Sequence, residues 1–170
     1  SNLTHLPLVD DQKKLVDYAI NFKLNKIPVS EPQFLGNEIL YLNDCINSGW
    51  ISSGGKYVNL FEKSFSKFIK SKYPLSTTSG TTALHLALAS LGIKKNDEVI
   101  VPNLTFISPI NAAIYLGAKP VLVDIDENNL CLDPKKIEKA ISKKTKAIVL
   151  VYLYGHGCDI DKIRKIAKKY

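Results

Sequence analysis

From Tyr73 to the end of the chain, short apolar runs alternate with segments of helical period, and this alternation restricts the fold more than any other feature. Tyr73 to Thr77 reads as a short strand and 80–91 as a helix. Glu98-Val99-Ile100-Val101 is an apolar strand. Ser108 as N-cap and Pro109 at the first helical position open a helix through Leu116, which Gly117 ends. Pro120-Val121-Leu122-Val123 is the next strand, and Asp133 with Pro134 opens a helix to Ile141. Lys146 to Val151 reads as a fully buried strand, and Asp159 caps a last helix over 160–169. Continuous apolar strands between helices predict an α/β fold, a mostly parallel sheet with helices on both faces. Such a sheet continues from helix to strand, so a chain stopping at Tyr170 is expected to be part of a longer protein.

Before Tyr73 the pattern is helical. Residues 1–26 are expected to form an appendage, with Asp10 or Asp11 capping a helix that aligns Leu15, Tyr18, Ala19 and Phe22. Residues 27–170 are expected to form one incomplete domain. Ile27-Pro28-Val29-Ser30-Glu31-Pro32 is extended, because each proline restricts the residue before it. A helix over 37–48 stops at Gly49. After the loop Trp50-Ile51-Ser52-Ser53-Gly54-Gly55, another helix begins near Tyr57. Its stripe of Val58, Phe61, Phe65, Phe68 and Ile69 is expected to pack into the core.

Composition narrows the function classes. Apolar residues make up 45% of the chain and charged residues 23%, as in a globular protein. No apolar stretch approaches the ~20 residues of a membrane span, and no secretory signal stands at the start, so a cytoplasmic location with no membrane partner is expected. Three scattered cysteines fit reduced thiols. The net charge of +7 is spread over helix faces and turns rather than gathered beside aromatics, which argues against a nucleic-acid partner.

Four short stretches can carry chemistry. Ser79-Gly80-Thr81-Thr82 stands between a strand and a helix, where free N–H groups and the helix dipole favour an anion such as phosphate. The same residues are equally good N-caps, and the sequence leaves both readings open. Phe106, in Val101-Pro102-Asn103-Leu104-Thr105-Phe106, either stacks on a flat ring at the carboxyl end of a strand or fills the core under a loop. In Tyr152-Leu153-Tyr154-Gly155-His156-Gly157 the glycines permit tight turns. His156 there is an acid, a base, an orienting group or a structural residue. Cys158 and Asp159 lie close by, but no second ligand pair has metal-site spacing. The Trp50–Gly55 loop is a carbohydrate or nucleotide contact, or a helix C-terminal turn.

In order and spacing, Trp50-Ile51-Ser52-Ser53-Gly54, Ser79 through Leu88, Asn96 through Pro102, Leu104-Thr105-Phe106, Asn111-Ala112, Gly117 through Val121, Thr145 through Ile148 and Leu153-Tyr154-Gly155-His156 resemble the sugar aminotransferases of the DegT/DnrJ/EryC1/StrS family. The stretch 27–38 is most similar to the subgroup that makes 4-amino-4,6-dideoxy sugars. The resemblance covers residues 27–170 and implies part of the large domain of a fold-type I, aspartate-aminotransferase-like enzyme that uses pyridoxal 5′-phosphate (PLP).

The resemblance implies that Gly80 and Thr81 hold the PLP phosphate, with Ser79 and Thr82 beside them, and that Phe106 stacks on the pyridine ring. It places Ser52, Ser53 and Gly54 near a nucleotide-sugar substrate, and Asn111, Tyr154 and His156 at the rim. It further implies glutamate as amino donor, a homodimer, and a product used in surface polysaccharide. PLP chemistry needs a lysine bound to the cofactor and a carboxylate on the pyridine nitrogen. Both family positions lie beyond Tyr170, so no catalytic residue is assigned and the 170-residue chain alone is expected to be inactive. The alternative is a non-catalytic α/β module that binds phosphate or a nucleotide.

Overall fold

The computed structural model describes residues 5–20 and 30–170. The chain divides into two compact units, Ser1–Tyr57 and Val58–Tyr170.

The first unit contains an antiparallel hairpin, β1 (His5–Val9) and β2 (Leu15–Ile20), and helix α1 (Glu38–Ser48). The hairpin replaces the expected N-terminal helix. Leu15, Tyr18 and Ala19 are strand residues, while Phe22 and Ile27-Pro28-Val29 fall outside the described residues. The cause is local. Asp10 caps a turn instead of a helix, accepting from the Gln12 N–H at 3.0 Å and the Lys14 N–H at 2.8 Å, with Lys13 in left-handed backbone at φ 61°. The β-branched and aromatic content of Leu15–Ile20 then favours the strand. Helix α1 ends as expected at Gly49, whose φ of 71° and N–H bond to the Ile46 carbonyl (3.1 Å) terminate it.

The second unit is built on a parallel sheet ordered β4-β3-β5, with β3 at Glu98–Pro102, β4 at Lys119–Val123 and β5 at Thr145–Ile148. Four helices accompany it: α3 (Gly80–Ser90), α4 (Ser108–Tyr115), α5 (Pro134–Ala140) and α6 (Ile160–Lys169). Side chains alternate across a strand, so central strand β3 serves two cores. Val99 and Val101 pack with Leu88 of α3 and Ala112 and Ala113 of α4. Ile100 faces the other way, into Val123, Leu132, Ile137 of α5 and Ile163 of α6. The result is three layers, helix pairs on both faces of a parallel sheet, as the alternation predicts.

Three expectations fail in this unit. Tyr73–Thr77 joins no sheet. Pro74 has no N–H to give, and the Ser76 N–H and hydroxyl both donate to the Glu62 carboxylate, at 2.8 and 2.9 Å, instead of to a strand. Strand β5 ends at Ile148 and is only half-buried. It pairs with β3 on one side, and a groove of about 950 Å³ lies between its residues and α6. Helix α2 (Lys56–Ile69) buries no residue. Its stripe is therefore not core: Phe61 is 56% exposed and Phe68 84%. Phe61 and Phe65 line a shallow pocket with Pro74, Leu75, Gly80 and Ala83.

Candidate functional site

The amino end of α3 is a closed capping box. Ser79 is extended, at φ −162° and ψ 163°, and its Oγ accepts from the Thr82 N–H at 3.2 Å. Thr82 Oγ1 accepts in return from the Ser79 N–H at 3.0 Å and sits 2.8 Å from the Ser79 carbonyl oxygen. Ala83 makes the first intrahelical bond, to the Ser79 carbonyl at 3.0 Å. This leaves the N–H groups of Gly80 and Thr81, the first two of the helix, without an intrahelical acceptor. They point outward at the positive end of an 11-residue helix. A Cβ built on Gly80 meets no atom within 4 Å. The space above these N–H groups is open, and glycine keeps it so. Ser79 and Thr82 cap the helix, and the N–H groups of Gly80 and Thr81 stay without an intrahelical acceptor.

A single hydrogen bond ties this cup to the next loop. Thr81 Oγ1 lies 2.8 Å from Ser108 Oγ, at the start of α4. Ser108 follows the β3–α4 loop, which carries Phe106. Phe106 is 79% exposed and so does not fill the core. In the same loop Thr105 Oγ1 is buried with no hydrogen-bond partner, an exception to the rule that buried polar atoms are paired. Asn111 is half-buried on α4, three residues beyond Ser108.

Because β3, β4 and β5 are parallel, the residues that leave their carboxyl ends gather at one edge of the sheet. After β5 come Tyr154 and His156. Tyr154 holds a left-handed backbone, φ 52°, that costs a non-glycine residue about 1 kcal/mol. Gly155 follows at φ 82°, and its N–H donates to the Tyr152 carbonyl at 3.1 Å. The turn presents the Tyr154 and His156 side chains to solvent. The His156 carbonyl is anchored from below by the Cys131 thiol at 3.3 Å. After β4 comes Asp124, which the sequence reading passed over. It accepts from the Asn103 amide, the Ile125 N–H and the Lys136 ammonium at 3.0, 3.0 and 2.5 Å. Chiefly through Lys136, and then Asn103, its carboxyl is held down at about 2. The available signal was a carboxylate placed directly after a buried strand.

Ser52, Ser53 and Gly54 lie in the first unit, exposed in the loop after α1. The loop folds back on itself, with the Gly55 N–H donating to the Ser52 carbonyl at 3.2 Å. Asp44 of α1 closes its base, accepting from Lys56 Nζ at 2.9 Å and the Tyr57 hydroxyl at 3.0 Å. Among the described residues no three His, Cys, Asp or Glu side chains come together as metal ligands.

The profile of the DegT/DnrJ/EryC1/StrS aminotransferase family matches residues 33–170. The chain belongs to this family. One member, the GDP-perosamine synthase of Vibrio cholerae, is 45% identical over 85% of this chain and 39% of its own length. Two solved structures of the fold are cofactor-bound forms. NtdA from Bacillus subtilis, with bound cofactor PMP, superposes with a TM-score of 0.73 at 39% identity, covering 78% of this chain and 30% of NtdA. The PLP form of Spr1654 from Streptococcus pneumoniae gives 0.75 at 35% identity, covering 85% and 37%. The chain spans about two-fifths of the curated relative it matches. Its layered parallel sheet is the corresponding part of the aminotransferase large domain.

Proposed function

We propose that this chain forms the phosphate-binding cup and one face of the cofactor site in a PLP-dependent aminotransferase acting on a nucleotide-linked 4-keto-6-deoxy sugar. The observation that carries the proposal is the pair of unaccepted N–H groups at Gly80 and Thr81, under open space, hydrogen-bonded through Thr81 and Ser108 to the loop that exposes Phe106. A dianionic phosphate fits such a donor set, and a flat aromatic ring fits beside an exposed phenyl face. The donors and the open cradle fit PLP.

When bound, PLP supplies an electron sink for negative charge at the carbon bearing the transferred nitrogen. This chain's residues bind and orient. The Gly80 and Thr81 N–H groups donate to phosphate oxygens, and the Ser79–Thr82 cap keeps those N–H vectors fixed. Thr81 and Ser108 hold the Phe106 loop against the cup. Phe106 sets the plane of the ring and covers one face from water. Tyr154, His156 and Asn111 line the rim, and the Ser52–Gly54 loop contacts the nucleotide sugar.

The chain spans about two-fifths of the relative it matches; the lysine that binds the cofactor and the carboxylate for its ring nitrogen are assigned to none of its residues, and on this reading the 170-residue chain alone is inactive. Glutamate is the amino donor, and the GDP-perosamine synthase relative favours a GDP-linked sugar. The product serves surface polysaccharide synthesis in the cytoplasm.

The test is turnover by the full-length protein. Incubated with PLP, glutamate and GDP-4-keto-6-deoxymannose, it is expected to yield 2-oxoglutarate and an amino sugar in equal amounts by mass spectrometry. PLP uptake without amino transfer to any nucleotide-linked keto sugar would contradict the reaction, and failure to take up PLP would contradict the site.

A further inference from the structure

The loop that exposes Phe106 is fixed at both ends, and only one fixing point belongs to the cup. At its α4 end the tie is Ser108 to Thr81, at 2.8 Å. At its β3 end, Asn103 makes two bonds to β4 and the residue after it. Its N–H donates to the Val123 carbonyl at 2.9 Å, and its side-chain amide donates to Asp124 Oδ1 at 3.0 Å. Asp124 is itself held from two further directions. The Ile125 N–H donates to Oδ1 at 3.0 Å, and Lys136 Nζ of α5 reaches Oδ2 at 2.5 Å and the Ile125 carbonyl at 3.5 Å. The Asp133 N–H, which begins α5, closes on the Asp124 carbonyl at 3.2 Å.

We propose that Asn103 and Asp124 are positioning residues for the cofactor ring: through the Asn103 amide, Asp124 fixes where the loop leaves β3 and so fixes the plane that Phe106 offers. The inference rests on the proposed PLP site and adds to it residues that touch neither phosphate nor ring. Geometry supports the role. Asn103 and Phe106 are three residues apart, and the loop between β3 and α4 has no other described side-chain bond to hold it. The Leu104 side chain is exposed, and Thr105 Oγ1, though buried, has no hydrogen-bond partner, so neither gives the segment a polar tie. Asp124 has the acceptor capacity for this role, since an ionised carboxylate accepts several donors at once. The Ile125 N–H shares Oδ1 with the Asn103 amide and Lys136 pairs with Oδ2, so both carboxylate oxygens are engaged.

The experiment uses the full-length holoenzyme and reads the visible circular dichroism of bound PLP, which reports ring orientation, alongside PLP affinity, inorganic phosphate affinity and thermal melting. Asn103→Ala is expected to diminish the visible dichroism and to weaken PLP about fivefold, the loss of one orienting hydrogen bond. Phosphate affinity at the Gly80–Thr81 cup is expected to stay at the wild-type level. Asp124→Asn keeps an acceptor for the Asn103 amide and is expected to retain most of the dichroism, although it melts lower for want of the Lys136 pair. Asp124→Ala is expected to lose both. Wild-type dichroism and PLP affinity in folded Asn103→Ala would overturn the proposal. Dichroism that follows melting temperature across all three variants, instead of following the acceptor, would overturn it too. The wild-type arm separates the two claims: absence of any PLP band there removes the cofactor site, and the positioning role with it.

Discussion

At the scale of single residues, the site rests on which hydrogen-bond partners are already taken. Ser79 and Thr82 satisfy each other, so their hydroxyls are structural, and the donors left over are main-chain N–H groups. The sequence shows Ser, Gly and Thr in a row and cannot say which is engaged, because a cap and an anion cup draw on the same residue types. Asp124 escapes a sequence reading for a related reason: its partners Asn103 and Lys136 lie 21 and 12 positions away and meet it only after β3 and β4 pair. Its titration gives a prediction with a definite sign. The carboxyl falls from 3.8 to about 2 in the folded protein. Its stabilising contribution is therefore complete above the unfolded value and is lost as pH falls from about 3.8 toward 2. Asp124→Asn is expected to flatten the dependence of unfolding free energy on pH in that window while leaving the shape above pH 5 unchanged. An acid limb as steep as the wild type's would show that the folded carboxyl is not held down.

At the scale of elements, caps and breakers were the legible part. Gly49, Asp133 with Pro134, and Asp159 end or begin the helices they announce, whereas α4 starts one residue early: Ile107 is its N-cap, with no side-chain cap, and Ser108 and Pro109 are its first two residues. Strand β3 was legible because its unbroken apolar run is what burial on two faces requires. The hairpin was not. Leu15, Tyr18 and Ala19 fit a helical face as well as a strand, and the choice is made by Asp10 folding the chain into a turn. Tyr73–Thr77 misled for a similar reason, since Glu62 of α2 takes the Ser76 donors that pairing needs. The cap on α3 can be measured by itself. Ser79→Ala removes the acceptor for the Thr82 N–H and is expected to cost about 1 kcal/mol in denaturant unfolding. It is expected to weaken phosphate binding through disorder of the first turn. An unchanged midpoint would mean the box adds nothing.

At the scale of the whole molecule, two helices each carry an exposed apolar stripe. Helix α1 exposes Ile39, Leu42 and Ile46 at 67%, 62% and 67%, and α2 exposes Phe61, Phe65 and Phe68. Exposed apolar faces of this kind mark contact surfaces. We propose that in the full-length protein they meet other parts of the chain and a second copy of it. Sedimentation equilibrium of the full-length protein is expected to give twice the subunit mass, and a monomer at micromolar concentration would contradict the dimer.

The central claim is that Gly80 and Thr81 hold the phosphate of PLP, and glycine at position 80 allows a direct test. A Cβ there meets no atom within 4 Å apart from its own turn of helix, and the backbone is not left-handed, so Gly80→Val is expected to leave the fold free to form. The space it fills is the space proposed for the phosphate. PLP titration of the full-length protein, followed by its visible absorption band, is expected to show uptake by the wild type and at least a tenfold loss of affinity in Gly80→Val at an unchanged melting temperature of the cofactor-free forms, a difference of about 1.4 kcal/mol or more. Equal PLP affinity in the two proteins would contradict the account.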